Sequence, residues 1–344
     1  MSLLPYSNGF HGEKIKREIH PFNVIKIICI VTGCILVLGF LYQFVISKIE
    51  DSKMINENKF VRIDGKKYHY KTVGKGNLTI VFDGDLGVNF NQWEKVIKNL
   101  EKEDDVRLFF YDRVGYGFND SGSKQSPKEQ AKDLRMILKK LGINGSMILV
   151  GEGYGSLVLT NYADLYSKHI DGMVLINPIN EKDVANKEFV NIYKNQKIGR
   201  KINEVCSYFG FTRLLYKLNI SKDPSGYFKY LSQEKQKEFK IFRSRTAYSS
   251  AYYDELTNVI NGNSSSQKNG LIGDKHLSIV ANKNKFFNSQ KDLSKLTTSK
   301  ENLDVIEIDN KNDVVSFENA NDISTSIRQM IKKYKLSEKE KVNN

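Results

Sequence analysis

Ten residues constrain this chain more than any others. Met147-Ile-Leu-Val-Gly151-Glu-Gly153-Tyr-Gly155-Ser156 reads as an apolar strand, a tight turn flanked by glycines, and the start of a helix. The apex of such a turn is a natural place to present a nucleophile. Here the apex is Gly153, which carries no hydroxyl, thiol or carboxylate, so no covalent intermediate can form on it.

The rest of the chain supplies a setting for that junction. Phe60–Tyr70 reads as two alternating runs about an Asp64-Gly65 turn, a hairpin signature. Leu78–Phe82 and Val106–Tyr111 are apolar runs suited to buried strands. Helical spacing follows around Trp93–Leu100 and from Pro127 to Leu141, where Leu134, Ile137, Leu138 and Leu141 share a face. A helix over 157–166 and a strand over 172–177 come next. Strand patterns resume at Leu277–Ala281 and Val305–Ile308, and a closing helix spans Ile323–Tyr334. Alternation on this scale predicts a mainly parallel sheet flanked by helices with right-handed crossovers. Residues 181–270 interrupt the rhythm with polar helical patterns and aromatic clusters, and read as an inserted helical cap.

Residues 24–46 are almost entirely apolar, with Lys26 near enough to one end to snorkel. About 20 residues at 1.5 Å each cross a hydrocarbon layer of ~30 Å, so this segment is expected to be a transmembrane helix in the lipid bilayer. A cleaved signal peptide is the competing reading, but no small-x-small site follows the run. Lys14, Lys16, Arg17 and Lys26 precede or open the span, while Lys48, Lys53 and Lys59 follow it. That balance favours residues 1–23 in the cytoplasm and a single-pass protein of the cell membrane whose large domain is extracytoplasmic. Residues 47–59 read as a charged linker, 60–335 as the folded domain and 336–344 as a charged tail.

Charge and cysteine content narrow the chemistry. Lys and Arg number 53 against 40 Asp and Glu, a formal charge of +13. A solvated Lys-rich surface accounts for this, and attraction to anionic headgroups or a cell-wall polymer is the sharper alternative. No basic run is interleaved with aromatics, so nucleic acid is not an expected partner. Cys29 and Cys34 lie in the apolar span and only Cys206 follows it. No spacing suits zinc, and no metal or cofactor is expected. Gly151-x-Gly153-x-x-Ser156 could pass for a dinucleotide loop, yet two strands precede it and its third position is Ser.

This order of elements over residues 60–335 resembles the α/β-hydrolase superfamily, and looks most like bacterial members with an N-terminal membrane anchor. Tyr111-Asp-Arg-Val-Gly-Tyr-Gly-Phe-Asn-Asp120 is similar to that family's Y-D-R-x-G-x-G-x-S-D signature. Ile148–Gly155 is similar to I-L-V-G-H-S-x-G, and Phe209-Gly-Phe-Thr-Arg-Leu-Leu215 resembles a recurrent cap segment. The resemblance implies an α/β-hydrolase fold with a Ser-His-acid triad, and the chain departs from that triad throughout. The nucleophile position is Gly153, preceded by Glu152 rather than His. The acid position falls on Asn284 and the histidine position on Asp313, or on Asn312 with a shift of one. The oxyanion loop is Asp83-Gly84-Asp85, whose two acids would oppose a developing oxyanion.

The expectation is therefore a membrane-anchored pseudoenzyme that binds or scaffolds, with a small-molecule ligand or a protein as partner. The alternative is an ester or amide hydrolase with a non-standard acidic site, for which Glu152, Asp83 and Ser156 are the candidates. Ser156 lies one turn into the helix, where a packing role or an early-helix hydrogen bond is the simpler account. Asp112 and Arg113 are expected to brace the end of the sheet.

Overall fold

The computed structural model describes residues 21–218, 220, 226–310 and 315–343. The expected cytoplasmic segment 1–23 falls almost wholly outside them, as does Asp313. Helix α1 (Pro21–Glu57) is followed by strands β1 (Lys59–Ile63), β2 (Lys66–Val73) and β3 (Leu78–Asp83), helix α2 (Glu94–Leu100), strand β4 (Val106–Tyr111) and helix α3 (Pro127–Lys140). Strand β5 (Met147–Glu152), helix α4 (Tyr154–Leu165) and strand β6 (Ile170–Ile176) complete the first half. Then come helices α5 (Lys187–Tyr208), α6 (Phe211–Lys217), α7 (Gln233–Arg243) and α8 (Thr246–Asn261), strand β7 (His276–Asn282), helix α9 (Phe287–Lys291), strand β8 (Leu303–Ile308), and helices α10 (Val315–Glu318) and α11 (Ala320–Asn343).

The strands form one eight-stranded sheet in the order β1-β2-β4-β3-β5-β6-β7-β8. The β1/β2 and β2/β4 pairs are antiparallel and all the others are parallel. This is the mainly parallel sheet expected from the alternation, and α5–α8 form the inserted cap between β6 and β7. Strand β5 shows why continuous apolar runs go to the centre. Met147 and Leu149 pack into the core on one face, Ile148 and Val150 into the core on the other. A period of two with both faces covered calls for apolar side chains from Met147 to Val150.

Local signals place the helices that support the site. Helix α3 starts with Pro127 behind a capping box in which Ser126 and Glu129 satisfy each other's backbone N–H. Helix α4 starts on Gly153 at φ 51° and ψ −114°, a conformation that suits glycine.

Two boundaries differ from the sequence reading. The expected charged linker 47–59 is helix as far as Glu57, and only its last residue, Lys59, enters β1. After Gly39 the next glycine is Gly65 and no proline intervenes, so nothing stops the helix. Met54 gives the extension an apolar anchor in the core, and the Asn58 side chain donates to its carbonyl at 3.1 Å. The charged tail is likewise helical to Asn343, because its Leu, Lys and Glu residues are strong helix formers.

Candidate functional site

The junction anticipated from sequence is present, and its glycines have separate jobs. A Cβ on Gly155 would lie 2.4 Å from the Asp83 carbonyl oxygen, and one on Gly151 would lie 3.0 Å from the Gly155 backbone. These two allow strand, turn and helix to touch. Gly153 is different, because a Cβ there would meet a side chain. It would lie 2.0 Å from Oδ1 of Asp85 and 2.2 Å from its carboxyl carbon.

Asp85 thus reaches across from the loop after β3 and puts its carboxylate where the apex side chain would stand. Its Oδ1 accepts hydrogen bonds from the backbone N–H of Tyr154 at 2.9 Å and of Leu86 at 2.7 Å. In hydrolases with this strand-turn-helix layout, the N–H after the nucleophile and one from the loop after β3 receive the oxyanion. Here they receive a carboxylate of the chain itself. The sequence suggested that Asp83 and Asp85 would repel an oxyanion. The structure divides them: Asp85 occupies the oxyanion position, and Asp83 points away from it.

Asp83 is buried and belongs to a brace. It accepts from the Tyr111 hydroxyl at 2.6 Å and pairs with Arg113 at 2.5 Å. Burial pushes its carboxyl up, and Arg113 and Tyr111 pull it back part of the way. Arg113 also holds Glu255 of cap helix α8 with two bonds, at 2.6 and 3.0 Å, and donates to the carbonyls of Gly84 and Asp85. Its guanidinium lies 5.0 Å from the ring centres of both Tyr116 and Tyr154. Asp112 accepts from the Phe90 N–H and from His69. Arg113 therefore fixes the path of the loop that carries Asp85.

Glu152 is also buried. Its carboxylate accepts from the Gln92 amide at 2.9 Å and from the backbone N–H groups of Val315 and Ser316 at 3.0 and 3.3 Å. Burial first, then the neighbouring Asp85, lifts its pKa to about 8, against the opposing pull of the bonds from Ser316 and Val315. Gln92 links the two acids, since its Oε1 accepts from the Asp85 N–H at 3.1 Å. Glu152 thus ties the elbow to the start of α10.

Ser156 is fully buried and donates to the Gly153 carbonyl at 2.6 Å, while its oxygen accepts from the Ile179 N–H at 3.2 Å. This is the early-helix hydrogen bond, turned away from any ligand. Replacing Ser156 by Ala should lower stability by about 1 kcal/mol, measured by urea unfolding, and leave ligand binding unchanged.

Asn284 follows β7 in an Asx turn, its side chain accepting from the Phe286 N–H at 2.8 Å and facing Asn177 at 3.5 Å. Asn177 ends β6 at φ 41°, a left-handed conformation for a residue with a side chain, and accepts from Gln290 at 2.8 Å. The described histidines lie elsewhere. His69 is buried against Asp112, His169 sits in a turn before β6, and His276 pairs with Asp304 at the start of β7, the opposite end from Asn284.

Asp85, Asn177 and Asn284 line one cavity of about 230 Å³ between these loops and the cap. Phe189 and Tyr193 of α5, Tyr252 of α8 and Phe286 supply its aromatic walls. The sequence placed Phe189 and Tyr252 within the cap, residues 181–270, but nothing in it connected either of them to Asp85. Among the described residues, no group of three or more His, Cys, Asp or Glu is arranged to hold a metal ion.

Comparison with known proteins places the fold. Residues 80–320 match a family model described as alpha/beta hydrolase fold. An uncharacterized protein of Bacillus subtilis, YqjL, is 27% identical over 162 residues, which cover 46% of this chain and 63% of YqjL. A cis-3-alkyl-4-alkyloxetan-2-one decarboxylase of Shewanella oneidensis is 25% identical over 133 residues, 37% of this chain and 40% of that protein. The chain thus spans less than two thirds of the length of either relative. Among solved structures, the Cif epoxide hydrolase from Acinetobacter nosocomialis superposes with a TM-score of 0.62 at 17% identity, covering 83% of this chain and 96% of that one.

Proposed function

The chain belongs to the α/β-hydrolase superfamily, and we propose that within it this is a membrane-anchored binding protein whose Ser-His-acid chemistry is gone. One observation carries the reading: the Asp85 carboxylate fills the position of both the nucleophile and the oxyanion. A substrate carbonyl has neither an attacking group at Gly153 nor N–H donors left to polarise it. The cavity above remains large enough for a small ligand. Its aromatic walls suit an apolar body, and Asp85 with Asn177 suits a hydrogen-bond donor or cationic end. The apolar helix α1 is long enough to cross a bilayer, and the basic residues before it orient the domain outward.

A second reading draws on the same side chain. Asp85 lines the cavity with one oxygen held by two N–H groups, a geometry from which a carboxylate could act as base or nucleophile. Labelling with a fluorophosphonate and assay on an ester panel separate the two. The binding reading expects neither labelling nor turnover. Turnover by the unmodified protein, lost in Asp85→Asn or Glu152→Gln without unfolding, would replace it with the acidic-enzyme reading.

The obstruction has its own signature in stability. Gly153→Ser should destabilise the domain by about 2–4 kcal/mol, because it adds a Cβ at positive φ and displaces Asp85 from its two donors. Asp85→Ala in the same chain should return about 1 kcal/mol or more of that loss in a double-mutant cycle read by denaturant unfolding. Strictly additive effects would mean that the two side chains do not compete for the same space.

A further inference from the structure

Helix α1 does not stand apart from the cap. A Cβ on Gly39 would lie 2.4 Å from the Phe209 carbonyl oxygen, so the corner between α5 and α6 lies directly against α1. Gln43, a polar residue inside the apolar segment, is buried by this contact. It donates to the Ser244 carbonyl at 3.1 Å and accepts from Arg213 at 3.2 Å. Arg213 continues to Glu50 with a two-pronged ion pair. A polar group within an apolar helix requires such partners, and here the cap supplies them. Gly39 precedes Ile46, the end of the apolar run, by seven residues, a depth of roughly 10 Å along a helix.

The cap surface that continues from this corner is apolar. Ile198, Ile202 and Val205 form a stripe at helical spacing on α5, and Leu214, Leu218 and Ile220 extend it through α6. All six are more than half exposed. Exposed Lys194 and Lys217 lie beside the stripe. An apolar stripe of this kind, flanked by the exposed Lys201, marks an interaction site. A second copy or a protein partner could cover such a face. Two features favour lipid: the stripe runs onto a helix whose own apolar side chains are exposed, and the α5–α6 corner lies alongside that helix at the depth of the apolar run.

We propose that the α5–α6 corner of the cap is embedded in the same bilayer leaflet that α1 enters, with Lys194 against anionic headgroups. This rests on the reading of α1 as a membrane span. Helix α5 then joins two environments: its first half, from Phe189 to Gln196, walls the cavity, and its second half lies in lipid. The ligand class that follows is an amphipathic molecule that partitions into membranes and reaches the cavity along α5.

Trp93 is the chain's single tryptophan and is fully buried, which gives a constant emission to subtract that a quencher in lipid does not reach. The full chain, carrying Ile202→Trp, Leu214→Trp, Leu38→Trp or Lys332→Trp, would be reconstituted into vesicles of phosphatidylcholine and phosphatidylglycerol. The phosphatidylcholine acyl chains would be either brominated or not. The substituted sites are exposed, so folding is not at stake. The tryptophans at 202, 214 and 38 should lose most of their emission in brominated lipid, and those at 332 and 93 should not. Quenching at 38 but not at 202 or 214 would overturn the proposal while keeping the span. Absence of quenching at 38 would overturn the span itself and the proposal with it. Blue-shifted but unquenched emission at 202 would assign the face to a protein partner or a second copy instead.

Discussion

Replacing Arg113 by Met should destabilise the domain by about 3–5 kcal/mol, the largest effect expected of any single side chain here. The reason is what stays behind. Asp83 and Glu255 are both buried, and each counts on the guanidinium for its nearest positive charge. Removing it leaves two carboxylates near each other in a medium that solvates neither. With the cation gone, burial lifts the Asp83 carboxyl further, so the deficit should shrink as pH falls and that group takes up a proton. Adding Asp83→Asn and Glu255→Gln should recover more than half of the loss, since the uncompensated charges go with them. Urea unfolding at neutral and mildly acidic pH measures all three quantities. A deficit well under 1 kcal/mol in the single variant would show that the network is not a brace. The loop would also be released, because Arg113 holds the carbonyls of Gly84 and Asp85.

The second large effect concerns Glu152 and pH. Its carboxyl is raised from about 4.5 to about 8 in the folded chain, so the folded state holds a proton that the unfolded state releases between those values. The contribution of this group is therefore fully present below the unfolded pKa and is lost as pH rises through about 8. Over the whole window it amounts to something on the order of 3–5 kcal/mol. Glu152→Gln removes the titration while keeping an acceptor for Val315 and Ser316. Its stability should be close to that of the parent at pH 5 and several kcal/mol higher at pH 9, a difference of that same order. Asp83 and Asp183 are also raised by burial, so the parent's overall curve alone cannot isolate Glu152. The difference between the two curves can. Parallel curves for the two proteins would refute this assignment.

These two side chains also show what a sequence discloses and what it withholds. The sheet was legible because β3, β4, β5 and β7 are apolar runs with helical patterns between them, a signal local to each segment. The cap was legible as an interruption of that rhythm. The glycine at the apex of the turn was legible because one position, Gly153, decides it. The site's present contents were not. Asp85 lies 68 residues before Gly153, and its path depends on Arg113, Gln92 and two glycines that let the backbones meet. None of those contacts leaves a periodic trace. Glu152 was recognised as a candidate, but its tie to Val315 and Ser316 joins backbone donors more than 160 residues away. The extension of α1 into the expected linker was missed for a different reason. Charged residues suggested a loop, whereas helix propensity and the absence of a breaker decided the outcome.

The Asp85 carboxylate has a consequence for how a chain like this can change over generations. Were the space above the apex empty, one substitution could place a hydroxyl there. Here the apex is already occupied, so a serine arriving at residue 153 meets a carboxylate 2.0 Å from its Cβ and is purged for instability before any activity can be selected. Clearing the space first, by changing Asp85, gives up two hydrogen bonds. The two steps are each unfavourable alone and compatible only together. The Asp85 carboxylate is in this way a latch on position 153: a side chain gains room there only after residue 85 has changed, so the two positions are bound to vary as a pair.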